Sequence, residues 1–275
     1  MASEEFSKSI QNAVDIIRKN GSMTILSGAG VSVDSNIPTF RGKDGIWAKY
    51  PPELFGSRLG MAFTLAFFPS WFRSFIISSM GTFAQAAPNP IHESLAKMEE
   101  EGWVDGIITQ NVDQLHQEAG SQKVVEVHGN FFQSACRKCK GVESLSKEYF
   151  QDFVDQVKDK KFGRIKMVQQ LRKRFFVCPS CGGKRGPNMI MFGQSLDPLV
   201  WEQAETLATA NKVMLILGTS GTVYPVADLP FIAREEGVSL IEINPEPSAL
   251  TPFVDVYIPG GAKVAITELH RQLQH

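Results

Sequence analysis

At 275 residues, the chain is long enough for one large domain or two modest ones. Hydrophobic residues make up 43% of it and charged residues 21%, a composition that excludes a disordered or fibrous protein. The formal net charge of −1 at pH 7 gives the chain as a whole no attraction to nucleic acid or anionic lipid.

Helix-like and strand-like stretches alternate along the chain. Apolar residues three or four positions apart predict an amphipathic helix over 4–20, and Asn89-Pro90 begins a second helix that ends near Gly102. Short apolar runs predict strands at 23–26, 106–109, 124–127, 189–192, 213–217, 240–243 and 254–258. Later helices are expected at 198–210, 225–236 and 262–273. Continuous apolar strands between helices favour an α/β fold with a parallel sheet covered on both faces.

The most apolar segment, 59–87, is interrupted by Pro69 and Arg73 before it could span a bilayer, so we expect no membrane partner. An apolar lining inside the protein is the better interpretation. The first 20 residues are charged and amphipathic and lack the apolar core of a secretory signal. We therefore expect a cytoplasmic or nuclear location.

Four cysteines form two C-x-x-C pairs, Cys136 with Cys139 and Cys178 with Cys181. Four thiolates can close a tetrahedral shell around one zinc ion, which leaves no position for water or substrate and makes such a site structural. A redox pair would need only one C-x-x-C, and two disulfides would need an oxidising compartment. The 38 residues between the pairs exceed what a compact zinc ribbon needs.

Ligands of parallel sheets bind at the carboxyl ends of the strands. Polar or small residues follow five of the apolar runs, at 27–32, 109–113, 128–129, 218–220 and 244–246. Gly28, Ala29 and Gly30 would let backbone amides approach a diphosphate, and these positions together predict a nucleotide site. The alternative for both glycines is a tight strand-to-helix turn. Val33 replaces the third glycine of the dinucleotide fingerprint, so ordinary hydride transfer is not favoured.

Several motifs occur in the order found in one family. They are GAGVS at 28–32, IPTFR at 37–41, TQNVD at 109–113, VHG at 127–129, the two cysteine pairs, PNMIMFG at 187–193, GTS at 218–220 and IN at 243–244. From about residue 21 to 262, the chain resembles the sirtuins, which are NAD-dependent protein-lysine deacylases. The resemblance implies a Rossmann-like NAD-binding domain at 1–45, 88–130 and 186–275. It also implies a helical module at 46–87 and a zinc-binding module at 131–185.

The resemblance further implies NAD and one structural Zn²⁺ as cofactors, and it assigns roles to single residues. His128 matches the base that accepts a ribose hydroxyl proton, Asn111 the residue that holds the ribose and a water, and Asp113 a contact to the nicotinamide carboxamide. Phe40 matches the aromatic that shields the ribose, and Arg41 is a cation near the NAD loop whose alternative is a surface salt bridge. The remaining expected NAD contacts are Gly28, Ala29, Gly30, Ser32, Ile37, Trp47, Gln110, Val112, Gly218, Thr219, Ser220, Asn244, Pro245, Glu246 and Ala262.

The implied partner is an acylated lysine in an extended peptide, held as an added strand between two segments. The matching residues are Phe192, Gly193, Gln194, Val223 and Tyr224. The branch that removes acidic acyl groups carries a tyrosine and an arginine where Ile76 and Ser79 stand. A carboxylate buried without a cation would cost several kcal/mol, so a neutral acyl group is expected, either acetyl or long-chain.

Eight Lys and Arg residues lie in the insert between the cysteine pairs, from Lys158 to Arg174. The favoured interpretation is a solvated helical hairpin that caps the zinc site, because charged runs usually face water. The alternative is a docking surface for an acidic partner or nucleic acid. Two other functions stay open for the protein: an ADP-ribosyltransferase or NAD glycohydrolase, and a non-catalytic NAD-sensing module.

Overall fold

The computed structural model describes residues 2–40, 42, 45–159 and 161–274. In chain order its strands are β1 (Met23–Ser27), β2 (Val104–Thr109), β3 (Val124–Glu126), β4 (Gly129–Cys136), β5 (Val142–Ser144), β6 (Arg185–Met189), β7 (Val213–Leu217), β8 (Ser239–Asn244) and β9 (Val256–Pro259).

The α-helices in the described part are α1 (Ala2–Asn20), α2 (Ile46–Lys49), α3 (Pro52–Phe55), α4 (Arg58–Phe67), α5 (Pro69–Gln85), α6 (Pro90–Glu100), α7 (Leu115–Glu118), α8 (Lys147–Lys158), α9 (Arg164–Leu171), α10 (Pro198–Thr209), α11 (Leu229–Glu235) and α12 (Ala262–Leu273). Short 3-10 helices cover Ala29–Ser35, Val226–Asp228 and Thr251–Phe253, and a π-helical turn covers Arg172–Phe176.

Six strands form a fully parallel sheet in the order β3-β2-β1-β7-β8-β9. Every residue of β1 and β7 is buried, because helices cover both faces of the sheet. Side chains of α1, α6 and α12 pack on one face and those of α10 and α11 on the other. The order reverses between β1 and β7, which is where ligands of such sheets bind.

A smaller body lies beside the carboxyl ends of these strands. Its antiparallel sheet has the order β5-β4-β6, and burial alternates along β4, as expected when one face of a strand is covered. A second apolar core joins α5 to α8 and α9. The two bodies meet at His128, between β3 and β4, because the Ile190 amide donates to the His128 carbonyl oxygen at 2.8 Å.

The predicted α/β class and the Rossmann-like sheet are confirmed, and most predicted elements lie within a few residues of the observed ones. The predicted strand at 189–192 is wrong. Only Met189 belongs to a strand, and that strand is the antiparallel β6 of the smaller sheet. The apolar run suggested a strand of the parallel sheet. Instead, the Phe192 amide donates a hydrogen bond to the Gly56 carbonyl oxygen at 3.1 Å, outside any strand.

The insert is helical, as the favoured interpretation expected, but it is more than a solvated cap. It forms α8, α9 and the π-helical turn, and its apolar side chains pack into the second core instead of capping the zinc site from outside. Phe153 and Val157 are completely buried against this core. Within the part of the chain that the structure describes, every helix falls short of the length and apolar character needed to cross a bilayer.

Candidate functional site

The carboxyl ends of β1 and β7 touch where the strand order reverses. The Gly28 amide donates to the Leu217 carbonyl oxygen at 2.9 Å, and the Gly30 amide donates to that of Gly218 at 2.9 Å. A Cβ atom on Gly30 would lie 2.7 Å from the Gly218 Cα atom, closer than packed atoms approach. Both glycines are therefore needed for backbone contact in a tight turn, whatever they also contribute to a ligand.

Three polar side chains form a hydrogen-bonded chain at the end of β2. Asn111 Nδ2 donates to Ser32 Oγ at 3.0 Å, and Ser32 Oγ donates to Asp113 Oδ2 at 2.7 Å. The other Asp113 carboxylate oxygen accepts the Leu115 amide at 3.0 Å. Burial raises the pKa of the Asp113 carboxyl. The chain fixes the orientation of the Asn111 amide next to the cavity.

His128 lies beside this chain with a defined protonation pattern. Its Nδ1 atom is 3.0 Å from the Gln110 carbonyl oxygen. Because a carbonyl oxygen only accepts hydrogen bonds, Nδ1 carries the proton and Nε2 keeps a lone pair. Burial lowers the pKa of His128 from its usual 6.5, and the bond to Gln110 opposes that shift. The imidazole is therefore neutral at pH 7 and can accept a proton at Nε2.

A second series of hydrogen bonds joins the ends of β2, β7 and β8. Gln110 Nε2 donates to Thr219 Oγ1 at 2.9 Å. Asn244 Nδ2 donates to the Thr219 carbonyl oxygen at 2.9 Å and to Glu242 Oε1 at 2.7 Å. Glu242 is buried and also accepts a hydrogen bond from Thr251 Oγ1. These bonds hold three strand ends in one rigid polar wall.

A cavity of about 2060 Å³ begins at this wall and extends into the smaller body. Most residues predicted to bind NAD line it. They are Gly28, Ala29, Gly30, Phe40, Trp47, Gln110, Asn111, Val112, His128, Gly218, Thr219, Ser220, Asn244, Pro245, Glu246 and Ala262. Ser32, Ile37 and Asp113 are buried behind this lining, and Arg41 lies outside the described residues.

The predicted peptide-binding residues line the same cavity. They are Phe192, Gly193, Gln194, Val223 and Tyr224. The ring of Trp47 lies 5.5 Å from that of Phe40 and 5.7 Å from that of Phe192, measured between centroids. The segment expected to cover the ribose therefore contacts a segment expected to hold the peptide. The individual binding roles stay predictions.

The far end of the cavity is apolar and lies between α5 and the insert. Phe72, Ile76 and Met80 line it from α5, and Leu171 and Phe175 line it from the insert. The apolar character of the 59–87 segment correctly predicted an apolar lining. The sequence did not lead us to expect that the insert forms part of the same lining.

A signal for this contribution was present in the sequence of α8. Phe150, Phe153, Val154 and Val157 recur at helical spacing and are all buried. The density of cations favoured a solvent-facing interpretation, and Lys158, Arg164 and Lys166 are indeed exposed on the same two helices whose apolar faces are buried. An amphipathic insert next to a long apolar helix predicts packing between the two.

The four cysteines converge on one point. Their Sγ atoms all lie within 4.8 Å of one another, with Cys136 and Cys181 3.6 Å apart and Cys139 and Cys178 3.9 Å apart. Tetrahedral zinc with Zn–S bonds of about 2.3 Å requires sulfur atoms roughly 3.8 Å apart. Disulfide sulfurs would be about 2.05 Å apart. The donor set therefore fits one structural zinc ion and excludes two disulfides.

Residues 28–225 match the model of the Sir2 family. The chain is 36% identical over 263 residues to NAD-dependent protein deacylase 2 of Pyrobaculum aerophilum, covering 96% of this chain and 95% of that protein. It is 39% identical over 249 residues to the NAD-dependent protein deacylase of Thermococcus kodakarensis, covering 90% and 89%.

Solved structures show the same likeness. A complex of a Sir2 homologue with NAD has a TM-score of 0.77 and 31% identity, covering 96% of this chain and 93% of the other. A complex of Sir2 with a p53 peptide and NAD has a TM-score of 0.74 and 27% identity, covering 96% and 98%.

Proposed function

The chain belongs to the Sir2 family, and from that premise we propose that it removes neutral acyl groups, long ones included, from lysine side chains of proteins. It is an NAD-dependent protein deacylase with one structural zinc site. The observation that carries the acyl preference is the apolar end of the cavity, between α5 and the insert.

The cavity suits NAD at its polar end. The glycine contacts of β1 and β7 open a cradle at the switch point, and Thr219, Ser220 and Asn244 bring hydroxyl and amide groups to it. NAD supplies an acceptor for the acyl group and a leaving group, nicotinamide. Asn111 is oriented through Ser32 to hold a ribose or water. His128 accepts the ribose hydroxyl proton at Nε2, because Nδ1 is committed to Gln110.

The apolar end favours neutral acyl groups because it offers a carboxylate no unpaired buried cation among its described lining residues. Ile76 is buried there, and the Ser79 hydroxyl donates to the Phe75 carbonyl oxygen of its own helix at 2.7 Å. Arg185 is buried but already paired with Glu143. The other cations that line the cavity, such as Arg172 and Lys184, are exposed. A buried succinyl carboxylate would therefore lose its hydration without compensation.

Long acyl chains gain from the same surface. Each methylene that leaves water contributes roughly 0.8 kcal/mol, or about fourfold in affinity. Phe72, Met80, Leu171 and Phe175 offer contacts well beyond the size of an acetyl methyl group. Because the chain must reach these side chains to gain this energy, affinity should rise with acyl length.

The decisive experiment compares one peptide that carries acetyl-, succinyl-, decanoyl- or myristoyl-lysine. We expect the myristoyl peptide to be turned over at least as efficiently as the acetyl peptide, and the succinyl peptide least efficiently, in kcat/KM. A large acetyl preference or efficient desuccinylation would contradict the proposed acyl choice. Mass spectrometry should show O-acyl-ADP-ribose forming in step with nicotinamide; NAD consumption without that product would favour the glycohydrolase alternative.

A further inference from the structure

Helix α4 exposes an apolar face to solvent. Leu59, Phe63 and Phe67 recur every four residues on this face and are 86%, 47% and 68% exposed. Gly60 and Thr64 are buried on the adjacent face, which packs onto the protein. Isolated exposed apolar residues are normal on protein surfaces, but a contiguous row of large ones marks an interaction site.

Helix α9 extends this apolar face. Arg164 at its first position donates from Nη1 to the Ala66 carbonyl oxygen of α4 at 3.1 Å, which brings the two helices together. Ile165 is 72% exposed one residue later, and Val168 is exposed on the same face. We call this the α4–α9 surface, defined by Leu59, Phe63, Phe67, Ile165 and Val168.

The two segments that form the α4–α9 surface carry charge of one sign, and the exposed Glu53 and Asp159 flank them. The segments that carry it contain no Asp or Glu from residue 54 to 92 or from 160 to 196, although the whole chain has 29 acidic and 28 basic residues. Arg58, Lys161, Arg164 and Lys166 are exposed in or beside the two helices. The near-neutral net charge of the protein therefore conceals an apolar surface with an excess of cations.

We infer that the α4–α9 surface docks the protein onto an anionic lipid bilayer. Leu and Phe side chains insert at the boundary of headgroups and acyl chains, while Lys and Arg contact the anionic headgroups. Nucleic acid would account for the cations but leaves the exposed Leu59 and Phe67 without a role. A second copy of the chain would place cations against cations, which disfavours self-association.

Docking is a surface contact and needs no spanning segment. It also places the cavity next to lipid, because Ala62 and Val168 line the cavity and are exposed at this surface. The apolar end of the cavity would then face the membrane. The inference depends on exposure and charge and not on the acyl preference, so either can fail without the other.

The test is co-sedimentation of the full-length protein with vesicles of phosphatidylcholine plus phosphatidylserine, and with phosphatidylcholine alone. We expect binding only to the anionic vesicles, weakened by added salt. Lys161→Glu/Lys166→Glu should lower binding roughly 30-fold or more. Leu59→Ser/Phe67→Ser should lower it about tenfold or more, because their exposed side chains no longer enter the bilayer.

Two control variants make the same kinds of change away from the α4–α9 surface. Lys8→Glu/Lys19→Glu makes the same charge change on α1, and Leu199→Ser removes a side chain that is 69% exposed on α10. Both should bind vesicles like the wild type. All variants should retain the rate on a soluble acetyl-lysine peptide, which shows that they fold.

Three results would overturn the inference. The first is the absence of anionic vesicle binding by the wild type. The second is full binding by Leu59→Ser/Phe67→Ser, since the apolar row would then have no part in docking. The third is a lipid-free dimer, or binding to a DNA duplex, that the same substitutions abolish while vesicles are not bound.

Discussion

The two ends of the cavity are built on different principles. The end at the parallel sheet is a polar wall in which Gln110, Thr219 and Asn244 are tied together by hydrogen bonds. The end between α5 and the insert is held by packing, with side chains such as Phe72 and Phe175. Hydrogen bonds demand particular atoms at particular distances, whereas apolar packing demands volume. Substitutions at the polar end should therefore abolish the reaction, whereas substitutions at the apolar end should change which acyl group is accepted.

The largest expected effect comes from the polar end. His128→Ala removes the proton acceptor at Nε2, so kcat should fall by roughly 10²- to 10⁴-fold. The measurement is the rate of nicotinamide release with an acylated peptide. Zinc content serves as the control and should not change, because the four cysteines form a separate site. Activity within about tenfold of the wild type would remove His128 from the role of general base.

The second prediction concerns the apolar end. Ile76→Tyr/Ser79→Arg introduces a hydroxyl and a cation into the apolar lining, and it should raise kcat/KM for a succinyl peptide by roughly 10- to 100-fold. The same change should lower kcat/KM for a decanoyl peptide, since polar groups replace apolar contacts. Kinetics of both peptides on one protein preparation provide the check. An equal fall in kcat/KM for the decanoyl and acetyl peptides would mean that the variant is damaged. Ser79→Ala, which adds neither a hydroxyl nor a cation, serves as the control and should not gain activity on the succinyl peptide.

The same contrast explains what the sequence could predict. At the polar end each residue follows a strand, and positions such as Asn111, His128 and Thr219 stand out as polar or small residues directly after apolar runs. At the apolar end, helical spacing indicates that residues such as Phe153 are buried but not what they pack against, because an apolar side chain can pack against any partner of suitable volume. The strand predicted at 189–192 failed for a related reason: a short apolar run does not reveal whether the segment joins a sheet at all. The two C-x-x-C pairs likewise predicted a zinc site, but the 38 residues between them did not reveal how the insert packs.

A third prediction tests the rigidity of the polar end. Gly30→Ala places a Cβ atom 2.7 Å from the Gly218 Cα atom, where only backbone movement could relieve the contact. We expect a loss of about 1–3 kcal/mol in the free energy of unfolding. Gly163→Ala is the control, because that glycine has φ of −66° and no atom within 4 Å of the added Cβ. Equal losses in denaturant titrations of both variants would mean that the contact between β1 and β7 is not tight.

The smallest expected effect at neutral pH is the titration of His128. Burial lowers its pKa below 6.5, so the base form dominates at pH 7 and kcat/KM should be flat between pH 7 and 8 as far as this group is concerned. As pH falls through the lowered pKa, the rate should decrease about tenfold per pH unit. An acidic limb centred above 6.5 would show that burial does not govern this residue.

The acidic limb must be separated from loss of folding. Burial lowers the pKa of His92 to about 4, and it lowers that of His116 well below 6.5. The unfolded chain therefore binds more protons than the folded one between pH 6.5 and 4, so the stability that neutral His92 and His116 contribute is complete above pH 6.5 and is lost as pH falls. For His92 alone the loss is about 3 kcal/mol. Denaturant titrations at each pH identify the range in which the fold persists, and only there does the rate report His128. The His116 ring lies 2.9 Å from Ser27 Oγ, at the end of β1, and 4.9 Å from the His92 ring. Acid should therefore weaken the polar end of the cavity first and leave the packed apolar end less affected.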